Sequence, residues 1–503
     1  MSSYNVAIVG AGRMGAGIAV VAATAGCNVR LHDRTDELIA AALDGIKADL
    51  ATQVERRRIA ESAAAAIIER IQAAKDIGDL AGSDLVIEAI IEDFKVKNAL
   101  FVSVEAVVRS DAIIVTNTSS LSVTALGAVL KYPGRFAGFH FFNPPQRMKL
   151  VEVVAGTQSD PAVIGQLVDR ARGWGKLPVV CQSTPGFIAN RVARPFYGEA
   201  LRLLEDRIAD AATLDAVMRD CGGFAMGPCE LMDLIGHDVN LAVTQSVYDG
   251  FFQDPRFRPS VVQRGLVEAG RLGRKSGHGF FDYRPNAAKP NPATLGVGTP
   301  PGTVVIAGDL GSAVGLVERM KAAGCVVEPR PGAGAILLGD CKLVLADGRT
   351  AIERSVCDGQ NTIQFDLAFD YGNARRICVA FPDTCGGEDR ARVAGLFQSL
   401  GMAVSEIADS PGMIVLRTVA MLVNEAADAC QKGVASAADI DTAAINGLNY
   451  PIGPLAWGDR IGPGLVATAV GHFAAAWPDG RYRVSQYLRR RALAGGSLVG
   501  DGG

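Results

Sequence analysis

The stretch Phe139-His140-Phe141-Phe142-Asn143-Pro144-Pro145-Gln146-Arg147-Met148-Lys149-Leu150-Val151-Glu152 sets one histidine and one glutamate on two apolar, strand-like runs broken by Pro144-Pro145. If those runs form a hairpin centred near Gln146, His140 and Glu152 stand six residues to either side of it. Directly opposed strand residues hold their Cβ atoms ~4.5–5.5 Å apart. A carboxylate so placed fixes an imidazole's tautomer and steadies its charged form, as a general base needs when it takes a proton from an alcohol. A single histidine is more often a satisfied core residue. Here the hairpin would begin at the carboxyl edge of a nucleotide-binding sheet, where ligands bind.

That sheet is read from the N-terminal end. Asn5-Val6-Ala7-Ile8-Val9-Gly10 is a β-branched run ending in glycine. Gly10-Ala11-Gly12-Arg13-Met14-Gly15 follows, then an apolar helical stretch and a second strand, Asn28 to His32, that meets Asp33. Gly10 makes the tight turn, Gly12 lets the backbone approach a pyrophosphate, Gly15 lets helix and strand pack closely, and Asp33 takes the ribose hydroxyls. The carboxylate favours NAD over NADP, although Arg34 beside it is able to accept a 2′-phosphate. Asp84–Ala89 and Ala112–Thr116 add two strands of the continuous apolar kind buried on both faces of a parallel sheet. A long helical insert lies between Thr35 and Lys75 and carries Arg56-Arg57-Arg58, which is either a solvated face or an attractor for the phosphates of a large anionic substrate.

The whole chain has 503 residues, too many for one domain, with 49% hydrophobic and 20% charged residues. Wholesale disorder is excluded. A net charge of −3 gives no global basic excess that would point to nucleic acid or an anionic membrane. The ten cysteines form no CxxC pair and the five histidines are dispersed, so neither a metal site nor a disulfide framework is expected. The start of the chain lacks a signal-like core, and Gly15 to Cys27 is too short to span a bilayer. The expected location is the cytoplasm.

Gly138–Pro144 with Lys149–Val154, flanked by Thr116-Asn117-Thr118-Ser119-Ser120 and Ser183-Thr184-Pro185-Gly186-Phe187-Ile188-Ala189-Asn190-Arg191, resembles the 3-hydroxyacyl-CoA dehydrogenases. Met226-Gly227-Pro228 and Leu272-Gly273-Arg274-Lys275-Ser276-Gly277 extend the match from about residue 5 to Tyr283. The resemblance implies NAD as cofactor and an acyl-CoA thioester as substrate. His140 would be the base and Glu152 its orienter, with Ser119 and Asn190 hydrogen-bonding the reacting oxygens. Glu92, Lys97, Asn143 and Lys275 match cofactor-contacting positions. Without the resemblance, Ser119 and Asn190 stand near helix starts as possible caps, and Glu92 with Lys97 reads as a surface pair. Asn190–Pro195, Asp233–Gly236 and Gly433–Ser436 resemble the branch that oxidises 3-hydroxyadipyl-CoA in bacterial phenylacetate degradation. That implies a six-carbon dicarboxyl thioester whose free carboxylate needs a cation, with Arg147 and Arg194 as candidates and Arg56 for the larger substrate. Gln146-Arg147 departs from the smaller, more apolar residues usual at that turn. The alternatives are a 3-hydroxybutyryl-CoA or fatty-acid β-oxidation dehydrogenase, a β-hydroxyacid dehydrogenase with a lysine base, and a non-catalytic NAD-binding structural protein.

The second half is an internal repeat. Thr184-Pro185-Gly186 recurs as Ser410-Pro411-Gly412, Glu199 as Glu425, Asp215 as Asp441, Gly227-Pro228 as Gly453-Pro454 and Gly236 as Gly462, each at an offset of 226 (411 − 185 = 226). In that register His140 falls on Asp366, Glu152 on Cys378 and Asn190 on Leu416. Thr303–Gly308 echoes Asn5–Gly10 at offset 298, where Gly12 has become Leu310, Gly15 Ala313 and Asp33 Pro331. The expected architecture is an α/β Rossmann-type domain followed by an all-α C-terminal domain, then a degenerate tandem copy of both. Its boundaries are 1–184 for NAD binding, 185–284 helical, 285–302 linker, 303–408 Rossmann-like, 409–490 helical and 491–503 a flexible tail. The second copy is expected to bind no NAD. It would serve as an intramolecular pseudo-dimer partner, with a homo-oligomer also possible.

Overall fold

The computed structural model describes residues 4–500, so the extreme N-terminus and the last three residues of the tail lie outside it. The chain forms two compact units, one running to Asn190 and including Gly433–Leu448, the other containing Arg191–Lys432 and the chain from Asn449.

The first unit is built on an eight-stranded sheet: β1 (Asn5–Val9), β2 (Asn28–His32), β3 (Ile71–Ala73), β4 (Leu85–Glu88), β5 (Ile113–Thr116), β6 (Phe136–Phe141), β7 (Leu150–Ala155) and β8 (Leu177–Gln182). The spatial order is β3-β2-β1-β4-β5-β6-β7-β8. β1 pairs in parallel with both β2 and β4, so the chain reverses its direction of travel across the sheet at β1. The crevice beyond the carboxyl ends of such strands is where open α/β sheets bind ligands. β4 and β5 are buried along their whole length, as their continuous apolar runs require. The helical insert is two helices, Asp36–Glu55 and Glu61–Arg70, and the short β3 that ends it has too few residues to announce itself by pattern. The sheet turns antiparallel at the pair β6 and β7, and β8 closes the edge parallel to β7. The helix Ala437–Leu448 packs on β7 and β8.

The second unit carries a seven-stranded sheet, β9 (Thr303–Ala307), β10 (Val326–Arg330), β11 (Ala335–Leu338), β12 (Cys341–Leu345), β13 (Thr362–Phe365), β14 (Arg376–Ala380) and β15 (Ala403–Ile407), in the order β10-β9-β11-β12-β13-β14-β15. β11 runs antiparallel to both its neighbours, which a plain parallel nucleotide sheet does not do. The helices Arg194–Glu205 and Val415–Gln431 pack against each other, and both are largely buried. Among the described residues no helix is long and apolar enough to cross a membrane.

Two expectations of looseness do not hold. Residues 285–302 lack regular structure, yet they are strapped down: Leu295 N–H donates to Val404 O (2.8 Å), Thr299 N–H to Ala391 O (3.0 Å), and Ser405 Oγ to Ala293 O (2.7 Å). Proline and glycine stop helix and sheet there without stopping the segment from docking. Likewise the described part of the tail, residues 491–500, is anchored. Leu498 is fully buried, and its N–H donates to Asp459 Oδ1 (2.6 Å).

Candidate active site

The hairpin register pairs His140 directly with Glu152. His140 Nδ1 lies 2.7 Å from Glu152 Oε2, and the glutamate is wholly buried. Its other oxygen, Oε1, accepts from Ile188 N–H (3.0 Å) and Ala189 N–H (2.9 Å), at the start of the helix Ala189–Val192. Three donors thus converge on the one carboxylate. The Nδ1–H is thereby committed to Glu152, and Nε2 has no protein hydrogen-bond partner among the described residues. The imidazole meets the Phe142 ring at 4.7 Å between centroids and the Phe187 ring at 6.0 Å.

Asn190 reaches Ser119 by donating Nδ2 to its carbonyl at 3.5 Å, which brings both residues to the carboxyl end of β5. Neither is a helix cap: Asn190 lies inside Ala189–Val192, and Ser122 caps the helix after Ser119. Ser119 N–H donates to Glu92 Oε1 (3.2 Å), as do Thr118 Oγ1 (2.5 Å) and Ser120 Oγ (2.9 Å). Burial pushes the Glu92 carboxyl up, but Thr118, Lys97 and Ser120 together outweigh it and hold the group below the usual carboxylate range. Lys97 is not at the surface. It is buried, with Nζ on Glu88 Oε1 (2.5 Å) and Glu92 Oε2 (3.3 Å).

The glycine loop has the shape a dinucleotide needs. Gly10 sits at φ +111°, where a Cβ would lie 2.5 Å from Ala89 O, and a Cβ on Gly15 would fall 1.7 Å from Gly10 O. A Cβ on Gly12 would meet nothing within 4 Å. Gly12 also begins the helix Arg13–Thr24 with no side-chain cap and no acidic residue in the first turn. The open space and uncapped amides fit a pyrophosphate. Asp33 is held in place by Ala11 N–H, which donates to Oδ2 at 2.6 Å. We expect Gly12→Val to fold normally, because the space is open, and to weaken NAD binding more than about tenfold by filling the place of the pyrophosphate. Titration of the quenching of protein fluorescence by NAD checks this; unchanged affinity would put the cofactor elsewhere.

The remaining residues are scattered. Asn143 is exposed beside the hairpin, joined to Pro144 by a cis peptide bond, and Arg147 is exposed on the hairpin turn. Arg56 is exposed at the end of Asp36–Glu55. Lys275 and Arg194 belong to the second unit. Lys275 pairs with Asp238 at 2.5 Å, and Arg194 is buried, donating to Thr244 Oγ1 at 2.8 Å.

Two supports were missed in the sequence. Asn117 Oδ1 accepts from Phe141 N–H (2.8 Å), fixing the strand end that carries His140. A polar residue just after a buried strand, inside a tract already singled out, was the available signal. Lys176 donates Nζ to Pro145 O (2.5 Å) and Met148 O (2.9 Å) across the hairpin turn, and nothing in its sequence context marks it.

The chain matches the family model of the 3-hydroxyacyl-CoA dehydrogenase NAD binding domain over residues 5–184. The C-terminal domain model of the same enzymes matches twice, over 186–283 and 412–501, with starts 226 apart (412 − 186 = 226). Between them, 343–411 match a reduced Rossmann-fold domain of 3-hydroxybutyryl-CoA dehydrogenase. A 3-hydroxyadipyl-CoA dehydrogenase of Escherichia coli (strain K12) is 42% identical over 490 residues, 97% of each chain. A solved structure described as 3-hydroxybutyryl-CoA dehydrogenase from Escherichia coli K12 is 40% identical, covers 98% of this chain and 99% of that one, and superposes with a TM-score of 0.90. The (S)-3-hydroxybutyryl-CoA dehydrogenase structure from Ralstonia eutropha is 35% identical, with 56% of this chain matching 99% of that one at a TM-score of 0.55.

Proposed function

Because the chain belongs to the 3-hydroxyacyl-CoA dehydrogenase family, and is thus an NAD-dependent oxidoreductase, we propose that it oxidises 3-hydroxyadipyl-CoA to the 3-oxo thioester at His140. The observation that carries the substrate is the near end-to-end likeness to the 3-hydroxyadipyl-CoA dehydrogenase, both halves included. A four-carbon 3-hydroxybutyryl-CoA is the second reading, favoured by the description of the equally long solved structure.

His140 Nε2 takes the proton of the 3-hydroxyl, while Glu152 holds Nδ1–H and balances the imidazolium that forms. Ser119 and Asn190 hydrogen-bond the reacting oxygens, which positions them. NAD, when bound, supplies the acceptor for the hydride leaving carbon 3. Gly10, Gly12, Gly15 and Asp33 hold it, with Glu92 and Asn143 as further contacts and Lys97 keeping Glu92 ionised. Exposed Arg147, on the same hairpin as His140, is assigned the free carboxylate of the substrate in preference to buried Arg194, and Arg56 the phosphates of coenzyme A. The histidine–glutamate pair speaks against a lysine-base enzyme, and its intact geometry against a merely structural NAD-binding protein.

The second half is assigned no cofactor and no chemistry. Where Gly12 leaves open space, Leu310 fills its own place with a buried side chain. At the place of His140, Asp366 accepts from the N–H groups of Ile414 (3.0 Å), Val415 (2.7 Å) and Leu416 (3.0 Å), the duty Glu152 performs in the first copy. The second half stands instead as an internal partner. Arg191 Nε donates to Glu425 Oε1 (2.6 Å), and Arg417 Nε to Glu199 Oε2 (2.9 Å). Both members of each pair are exchanged by the offset of 226 (417 − 191 = 226; 425 − 199 = 226), the reciprocity of a two-fold interface within one chain. Seven of the ten cysteines are buried as small hydrophobes, in keeping with the cytoplasm.

The test of the substrate is kcat/KM for 3-hydroxyadipyl-CoA against 3-hydroxybutyryl-CoA, with NAD and NADP in parallel. We expect at least a tenfold preference for the dicarboxyl thioester, reduced several-fold by Arg147→Ala. Equal values would select the four-carbon reading.

A further inference from the structure

The helix Ala437–Leu448 comes from the second copy by register, yet it packs within the first unit on β7 and β8. Just before it, Val434 O accepts from Gln182 N–H at 2.8 Å. At its far end Gly447 lies against the catalytic hairpin. A Cβ there would stand 2.4 Å from Leu150 Cδ2 and 3.6 Å from the Phe142 ring. Phe142 in turn lies 4.7 Å from the His140 ring. Gly447, Phe142 and His140 thus form a short relay of contacts from the second copy to the base.

The second unit repeats this packing with the copies exchanged. Ala408 N–H donates to Ile208 O at 3.2 Å, the same bond moved by 226 in both partners (408 − 182 = 226; 434 − 208 = 226). The counterpart of Gly447 is Cys221 (447 − 226 = 221), whose carbonyl accepts from Phe369 N–H at 2.8 Å on the hairpin that carries Asp366. Phe142 corresponds there to Ala368. Where the hairpin carries the base, an aromatic ring lies beside a glycine; where it does not, the same two positions hold an alanine and a cysteine. The space beside His140 is therefore kept by a pair of residues, one from each copy.

We propose that Gly447 is a specificity-determining position. By having no side chain it lets Phe142 lean away from the acyl chain, so the second copy sets how long an acyl group His140 accepts. This rests on His140 being the base. A methyl group at 447 must displace Leu150, whose side-chain end can shift, and comes into van der Waals contact with Phe142, which adjoins His140; the larger valine presses on that ring.

The experiment compares wild type with Gly447→Ala and Gly447→Val in the full chain. Steady-state rates are measured with the six-carbon dicarboxyl and the four-carbon 3-hydroxyacyl-CoA, alongside NAD affinity by fluorescence and the melting temperature. The ratio of kcat/KM, six-carbon over four-carbon, should fall about tenfold, the scale of one misplaced methylene in a tight pocket. NAD affinity should stay as in wild type. Adding Leu150→Val to Gly447→Ala should return most of the ratio, and it supplies a folded variant if Gly447→Val does not fold. A ratio within twofold of wild type in every folded variant would overturn the proposal while leaving His140 as the base. Undiminished turnover in His140→Ala would remove both.

Discussion

Replacing His140 by alanine should lower kcat by about a thousandfold, with NAD affinity retained. A positioned general base contributes roughly 10²- to 10⁴-fold, and among the described residues the neighbouring carboxylate, Glu152, is not free to share that work: it is buried and commits both oxygens to His140, Ile188 and Ala189. Stopped-flow or steady-state NADH formation measures the loss, and NAD titration of the same variant shows whether the cofactor site survives. Glu152→Gln is the informative companion. Its amide can present an N–H to Nδ1, which would turn the ring to the tautomer that carries its proton on Nε2 and cannot accept another. We expect a loss close to that of His140→Ala, though Glu152 never touches the substrate. Near-normal turnover in Glu152→Gln would mean that the carboxylate only anchors the helix Ala189–Val192.

Arg417→Met should cause a large loss of stability. Arg417 and Glu199 are both fully buried, and Glu199 also receives Arg202 and Tyr482 Oη–H (2.8 Å), while Arg417 donates to Tyr482 Oη (2.7 Å). The guanidinium further lies 4.6 Å over the Trp477 ring. Removing Arg417 costs about 3–5 kcal/mol, because two buried hydrogen bonds from a charged donor, each worth roughly 1.5–3 kcal/mol, are lost while Arg202 still balances the Glu199 carboxylate. At roughly 2–4 °C per kcal/mol for a large domain, the melting temperature should fall by about 6–20 °C. A joint replacement, Glu199→Leu with Arg202→Met and Arg417→Met, should recover most of this, since apolar groups of similar volume leave no charge behind. Calorimetry of the three proteins decides it. A shift under about 2 °C for Arg417→Met would mean that the ion network does not hold the two helical copies together.

The mirror network makes the same point from the other side. Arg191 lies 5.0 Å over Phe251 as Arg417 does over Trp477, and Arg256 donates to Glu425 (2.8 Å) as Tyr482 does to Glu199. Each of these pairs is related by 226 (477 − 251 = 226; 482 − 256 = 226). The offset found from glycines, prolines and acids therefore also governs side chains that no motif had marked, with tyrosine standing in for arginine at one place. Between the two copies the residue types differ while the positions that meet are the same.

Much of the site was legible because its information is local. The glycine loop, the strand that precedes it and Asp33 follow from spacing along one βαβ unit. The pairing of His140 with Glu152 follows from the arithmetic of a hairpin, in which the turn fixes every opposed pair. What escaped was set by contacts between residues far apart in the chain. Lys97 reads as a surface lysine until Glu88 is found beside it at the end of a buried strand. Lys176 has no reason in its own neighbourhood to hold the turn at Pro145. The segment 285–302 has the composition of a loose connector, and docks because β15 and its helix offer it hydrogen bonds.

The sequence by itself determined the two nucleotide strands and their loop, the opposed histidine and glutamate, and the repeat at 226. Periodicity, turns and internal offsets are properties of a chain before it folds. The tertiary structure decided where the second copy is used: Arg191 meets Glu425 across 234 residues, and the helix Ala437–Leu448 joins the unit that carries His140. Pairings of that kind are chosen by shape and charge between surfaces that exist only once each copy has folded.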